Sequence, residues 1–312
     1  MARVTGSALR FGVMVACIAL IVVIAVWHFG FRSDEGQSWN RDWSVQWQLS
    51  PATTVFGSYS FSPDSKHFAA VDRTGKVLIY ETSSCSLVSS WDTGHAKAYG
   101  AICDPSGRWL ATKGLSPTIQ VWDLKTHQLA ARLDGDELKI GELCWSPDGK
   151  VLMAISNRSQ AGEIILWNAL TMQQIALLRG HTDVVTGAEW SPQGDVIASV
   201  GYDGTLRVWD AKTFVPLKVL HEHPDRILCM AFTPDGKYLA TGGLRSGGLL
   251  SRAGHKNLLI WDANEWRVIH RLDNEYNVMG LECLPHGKES HLRCGRFRRR
   301  GGCRYGASAG RA

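Results

Sequence analysis

His181, Ser199 and Asp203 offer a base, a hydroxyl and a carboxylate within one short stretch, and Trp209 follows them. These are the three groups that acyl transfer through a serine nucleophile requires. No strained Gly-x-Ser-x-Gly turn frames Ser199, which argues against that chemistry. His221-Glu222-His223 sets two imidazoles two residues apart, so that on a strand they share a face and could hold a metal ion. Cys283, His286, His291, Cys294 and Cys303 are ligand types without the spacing of a zinc finger. Arg296-Phe297-Arg298-Arg299-Arg300 could grip nucleic acid or an anionic surface, or be a solvated tail. The sequence has no phosphate-binding glycine loop and no His-Glu-x-x-His. It calls for no catalytic residue, no metal, no cofactor and no small-molecule substrate.

The element that must position these groups is a repeat. Gly180 to Asp210 contains three apolar bursts, Val184 to Trp190, Val196 to Val200 and Thr205 to Trp209, parted by Ser191-Pro192-Gln193-Gly194 and by Asp203-Gly204. Each burst has strand length and strand composition, so the unit reads as three antiparallel strands joined by two tight turns. Such a unit cannot bury both faces alone and should recur. It does. Turn prolines stand at Pro63, Pro105, Pro147, Pro192, Pro234 and Pro285, spaced 42, 42, 45, 42 and 51 residues apart. A closing marker keeps step at Tyr80-Glu81, Trp122-Asp123, Trp167-Asn168, Trp209-Asp210 and Trp261-Asp262. A fourth strand is expected after each marker, at Gln128 to Leu133, Gln173 to Leu178, Phe214 to Leu220 and Trp266 to Leu272. Val45 to Leu49 reads as an unpaired outer strand, able to complete the last sheet and close a ring.

With the two markers in register, the chain resembles the WD-repeat family of β-propellers over residues 44–287. The resemblance implies an all-β fold of four-stranded blades arranged radially, here five recognisable blades and the start of a sixth. It also implies that His181, Ser199, Asp203 and Trp209 are a structural tetrad that pins loops to strands. Other blades carry fewer of these groups. Blade 2 has His95, Thr112 and Trp122, and blade 5 has His223, Thr241 and Trp261. Blade 3 has Asp136 and Ala154 at the His and Ser positions, and blade 1 has Ala70, Thr74 and Tyr80. His223 precedes Pro234 by the interval that separates His181 from Pro192, which accounts for it without a metal.

The two ends differ in composition from the body. Phe11 to Phe29 holds no Asp, Glu, Lys or Arg, and a helix of that length spans a bilayer core. Residues 1–10 carry Arg3 and Arg10, so the positive-inside rule puts the N-terminus in the cytoplasm and the repeats outside it. An uncleaved transmembrane signal-anchor over 11–29 with a linker over 30–43 is the expectation, a cleaved signal the alternative. Residues 288–312 hold Lys288 and seven arginines against Glu289, so the formal charge of +5 belongs to the tail and the body is slightly acidic. This segment is poor in β-branched residues and breaks the pattern inside a repeat, as a disordered or out-of-frame tail would. Gly242 to Gly254 is read as a lengthened, exposed loop in blade 5.

The functional expectation is a non-catalytic, membrane-anchored scaffold that binds a protein partner and no nucleic acid. The alternative is the propeller of a larger hydrolase or kinase. The expected partner face lies on the loops that lead into each first strand, at Lys97, Leu138, Asp183, Asp225 and Tyr276, where residue type varies on a fixed frame.

Overall fold

The computed structural model describes residues 60–296 apart from 73, 96–97, 117, 135–139, 158–160, 245–256, 273–276 and 287–288, and before them 12–18, 21–27 and 47–48. Residues 1–10, the linker over 30–43, Asp136, most of the Gly242 to Gly254 loop and residues 297–312 lie outside the described residues.

Five four-stranded antiparallel sheets follow one another along the chain. Blade 1 is Ser60–Phe61, His67–Val71, Lys76–Glu81 and Leu87–Asp92. Blade 2 is Ala98–Cys103, Trp109–Gly114, Thr118–Asp123 and Gln128–Asp134, and blade 3 is Ile140–Trp145, Val151–Ser156, Glu163–Asn168 and Gln174–Leu178. Blade 4 is Val185–Trp190, Val196–Gly201, Leu206–Asp210 and Pro216–Leu220, and blade 5 is Ile227–Phe232, Tyr238–Gly243, Leu258–Asp262 and Arg267–Leu272. First strands of successive blades contact one another, so the first strand is innermost and the fourth outermost. The all-β series is consistent with a WD-repeat propeller.

Packing follows from burial on both faces. Val196–Gly201 is buried at five of its six positions, so alternate residues on either face are both covered. The covering comes from neighbouring sheets. Blades 2 and 3 share a core around Ile119, Val121, Leu152 and Trp167. Blades 3 and 4 meet through Met153, Leu166, Trp190 and Ile197, and blades 4 and 5 through Val200, Val208, Leu239 and Trp261.

The closing marker makes a turn. In four blades the residue five positions after the Trp adopts a left-handed backbone, at His127, Met172, Phe214 and Trp266, and in blade 1 Cys85 does so after Tyr80. The N–H of each donates to the carbonyl four residues back, as from Phe214 to Asp210 at 2.9 Å. The Asp of the marker caps this turn: Asp210 Oδ1 accepts from Lys212 N at 2.9 Å and Thr213 N at 2.7 Å. Asn168 does the same in blade 3 with its amide oxygen. Because Phe214 and Trp266 are consumed by this turn, the outer strands begin at Pro216 and Arg267, later than the apolar pattern suggested.

Three expectations about the ends meet a different structure. The transmembrane helix expected over 11–29 is not supported: Gly12–Ile18 and Ile21–Trp27 are strands, paired from Gly12 opposite Trp27 to Ile18 opposite Ile21. The stretch is dominated by Val and Ile, whose branched β-carbons favour an extended chain. Among the described residues no helix is long and apolar enough to cross a membrane. Of the unpaired outer strand, Trp47–Gln48 pairs with Ile21–Trp27 and not with a last blade. In the tail, Glu289–Arg296 is a strand paired with Val278–His286, and Leu284, Pro285 and His286, expected as a turn, lie in this ladder opposite His291, Ser290 and Glu289.

The turn account predicts that Asp210→Ala lowers the melting temperature of the chain while Asp210→Asn, which keeps the capping oxygen, retains most of it. Thermal unfolding followed by circular dichroism checks this.

Candidate functional site

The turn between the second and third strands of blade 4, those two strands and the loop into its first strand bring His181, Ser199, Asp203 and Trp209 together. His181 Nδ1 lies 2.8 Å from Asp203 Oδ2, and its Nε2 lies 2.9 Å from Ser199 Oγ. Trp209 Nε1 donates to the same Ser199 Oγ at 2.9 Å. With Nδ1–H given to the carboxylate, Nε2 accepts the serine proton, and the serine lone pair accepts the indole N–H. Every polar side-chain atom of this network has a partner, including Asp203 Oδ1, which accepts from Thr205 N at 3.0 Å and Thr205 Oγ1 at 2.8 Å. Thr205 is the member that sequence reasoning missed; its place beside a turn Asp is the available signal.

The electrostatics agree with a fixed network. Burial pushes the Asp203 carboxyl up, but the hydrogen bonds from His181 and Thr205 outweigh it and hold the group well below the ordinary carboxylate range. Ser199 is fully buried at 0% exposure. Its oxygen is enclosed by the network, an arrangement that suits the ordering of a fold.

The partial sets show the same geometry with members missing. In blade 5, His223 Nε2 lies 2.6 Å from Thr241 Oγ1, which accepts Trp261 Nε1 at 2.7 Å. In blade 2, Trp122 Nε1 donates to Thr112 Oγ1 at 3.0 Å, while His95 Nε2 has no hydrogen-bond partner among the described residues. In blade 3, Ala154 is buried where blade 4 has Ser199; in blade 1, Tyr80 stacks on Phe68 at 5.0 Å. Burial, helped by the nearby Arg271 charge, lowers the His223 pKa to about 4.

His221 and His223 do not converge: His221 is exposed and His223 is buried on Thr241. Among the described residues no three His, Cys, Asp or Glu side chains gather as metal ligands. The side chains of Cys283, His286, His291, Cys294 and Arg296, with Cys303 and residues 297–300, lie outside the described residues. Burial pushes the Cys103 thiol up to about 11 and the Cys144 thiol up to about 12, which disfavours the nucleophilic thiolate.

Of the expected partner face, Lys97, Leu138 and Tyr276 lie outside the described residues. Asp183 and Asp225 are half-buried at equivalent positions of blades 4 and 5, and the Oδ1 of each accepts the N–H of the next residue at 2.7 Å. Beside them the exposed Arg226 guanidinium sits 4.8 Å from the ring centre of Tyr202, a cation–π contact at the same end of the sheets. Neither residue stood out in the sequence, because the contact joins the turn of one blade to the lead-in of the next.

Residues 172–210 and 214–262 match the family described as WD domain, G-beta repeat. The comparisons support the WD-repeat family. Each matched repeat runs from the outer strand of one blade through the first three strands of the next, and the two hold the Ser/Thr–His–Trp networks of blades 4 and 5. The chain is similar to the Periodic tryptophan protein 2 homolog of Caenorhabditis elegans, 25% identical over 150 residues, which covers 47% of this chain and 16% of that protein. It is similar to Protein HIR1 of Candida albicans, 30% identical over 121 residues, covering 33% of this chain and 13% of that one. A subunit of chromatin assembly factor 1 from Gallus gallus is 29% identical over 136 residues, covering 36% of this chain and 24% of its own length. The matches thus span less than a quarter of the length of each of these relatives.

Asp203→Ala is predicted to strand His181 Nδ1 and both Thr205 donors, costing about 1–3 kcal/mol of stability in urea unfolding. A second outcome follows from His223. Its folded pKa lies below the unfolded value of about 6.5, so the neutral form is the folded one. The stability it contributes is full above pH 6.5 and falls away as pH drops towards 4, by on the order of 3 kcal/mol. His223→Gln should flatten that part of the stability–pH curve.

Proposed function

We propose that the chain is a non-catalytic WD-repeat scaffold that binds a protein partner at the end of the sheets carrying Asp183, Asp225, Tyr202 and Arg226. The observation that carries this reading is the closure of the His181–Ser199–Asp203–Trp209 chain. The triad-like constellation is spent on holding the blade 4 lead-in loop, which carries Asp183, to its blade, and the lead-in loops of the other blades carry different side chains at that position. Fixed loops that differ from blade to blade form a recognition face at low ordering cost. Lys97, Leu138 and Tyr276 occupy the corresponding positions of the other repeats and belong to the same proposed face. One relative is, by its name, part of an assembly factor, which supports a protein as the partner.

The test is cross-linking mass spectrometry on the full chain in cell extract, comparing wild type with an Asp183→Lys, Arg226→Glu double variant. The expected result is loss of partner cross-links at these loops with an unchanged melting temperature. Undiminished cross-linking at this end would contradict the reading.

Location is a separate proposal. We infer attachment to a membrane through residues 11–29, with the N-terminus cytoplasmic and the repeats on the far side. Its support is the apolar run and the two preceding arginines; the strands at Gly12–Ile18 and Ile21–Trp27 do not support a helical anchor. Retention in the membrane pellet after alkaline carbonate extraction is expected, and release into the supernatant would overturn it.

A further inference from the structure

One position recurs at four successive seams and changes its chemistry at the last of them. It is the residue three before the turn proline, on the innermost strand of its blade. Where its side chain is polar, it meets the N–H of the residue two before the next turn proline, in the following blade. Ser60 Oγ accepts from Cys103 N at 3.0 Å, and the Cys144 sulfur takes the N–H of Trp190. Ile102 has no polar side-chain atom, and there Trp145 Nε1 donates to the Ile102 carbonyl at 3.3 Å. At the blade 4–5 seam the residue is Glu189, whose Oε2 accepts from Phe232 N at 3.2 Å. The hydroxyl and the thiol are neutral acceptors, the thiol because burial pushes it up to about 12. Glu189 alone among the four is an acid.

The surroundings of Glu189 favour its neutral form. The strands packed against Val185–Trp190 are Ile140–Trp145, Val151–Ser156, Val196–Gly201 and Ile227–Phe232. Val151–Ser156 and Val196–Gly201 contain no Asp, Glu, His, Cys, Tyr, Lys or Arg. Ile140–Trp145 presents a second acid, Glu142, and the neutral Cys144 thiol. Ile227–Phe232 holds Cys229, whose thiol turns to Val278 O at 3.4 Å. The Lys113 ammonium is spent on Glu142 and on the Gly141 carbonyl. An ionised Glu189 is therefore stripped of water and set against a like charge. A protonated one avoids both costs and still accepts Phe232 N through its carbonyl oxygen.

We propose that the blade 4–5 seam is a proton-controlled clasp, tight when Glu189 is protonated and loosened when it ionises. Burial, opposed by the Phe232 hydrogen bond and aided by Glu142, lifts the Glu189 pKa from 4.5 to about 7, so the change falls near neutral pH. With the folded value the higher, the folded chain holds this proton more tightly than the unfolded chain. The stability from this group is full below pH 4.5 and is lost as pH rises through 7. His223 acts in the opposite sense, losing its contribution as pH falls, so a substitution is needed to separate the two.

Glu189→Gln keeps an oxygen for Phe232 N and cannot ionise. Urea unfolding of the full chain compares it with wild type between about pH 5 and about pH 8. The wild-type unfolding constant, divided by that of the variant, should rise by roughly ten- to a hundredfold across this range. Carboxyl carbon-13 NMR of the wild-type chain gives a second readout, which a purely structural role would not move. One glutamate should titrate near pH 7, be absent from Glu189→Gln, and titrate at lower pH in Glu142→Gln, which removes the facing charge. A ratio that stays flat with pH, or wild-type glutamates that all titrate near the ordinary value of 4.5, would overturn the proposal.

Discussion

A β-sheet that is apolar on both faces cannot stand in water on either side, and that constraint shapes everything else in this chain. The second strands of blades 2, 3 and 4 are each buried at five of six positions. Each of these three sheets is therefore covered by the sheet before it and the sheet after it. Apolar contact alone would let such sheets slide, and the polar groups are placed to prevent it. Ser60 Oγ accepts Cys103 N across the first seam, and Lys113 Nζ donates to Gly141 O across the second. Asn157 exchanges two hydrogen bonds with the backbone of Val185, each 3.0 Å, across the third. Thr186 Oγ1 reaches Ile227 O at 2.8 Å, and Cys229 Sγ reaches Val278 O at 3.4 Å. At each seam a side chain meets the backbone of the next first strand, so register is fixed blade by blade.

The cost of burying polar groups for this purpose is visible in their proton affinities. Burial lowers the Lys113 pKa to about 8 against the opposing charge of Glu142. It raises that of Glu189, which accepts Phe232 N at 3.2 Å, to about 7. The blade 4 tetrad avoids this cost by satisfying every atom internally, which is why one Ser-His-Asp arrangement can be both chemically complete and chemically silent. Reactivity would need an open route to Ser199 Oγ, and the fold places that oxygen where no solvent reaches.

The repeat, its strand order and the tetrad members were legible because each leaves a fixed residue type at a fixed interval: Pro at the first turn, Trp-Asp at the second, His before the first strand. The outer-strand starts at Phe214 and Trp266 were not legible, since a left-handed turn residue with a large apolar side chain looks like strand to any pattern of hydrophobicity. Gly12 to Trp27 was ambiguous for the related reason that length and hydropathy alone do not tell a helix from two Val- and Ile-rich strands. The seam stitches and the Arg226–Tyr202 contact join residues 24 to 49 positions apart through tertiary packing alone. Their residue types are ordinary at every one of those positions, so no local pattern announces them.

The central claim is that the tetrad is a closed part of the folded frame. The indole N–H of Trp209 reports on it directly, by amide and indole hydrogen exchange followed by NMR. The account predicts that this proton exchanges only through global unfolding, with the same denaturant dependence as the strand amides of Val196–Gly201. Exchange through a local opening, faster than those amides and insensitive to denaturant, would show an accessible Ser199 and contradict it.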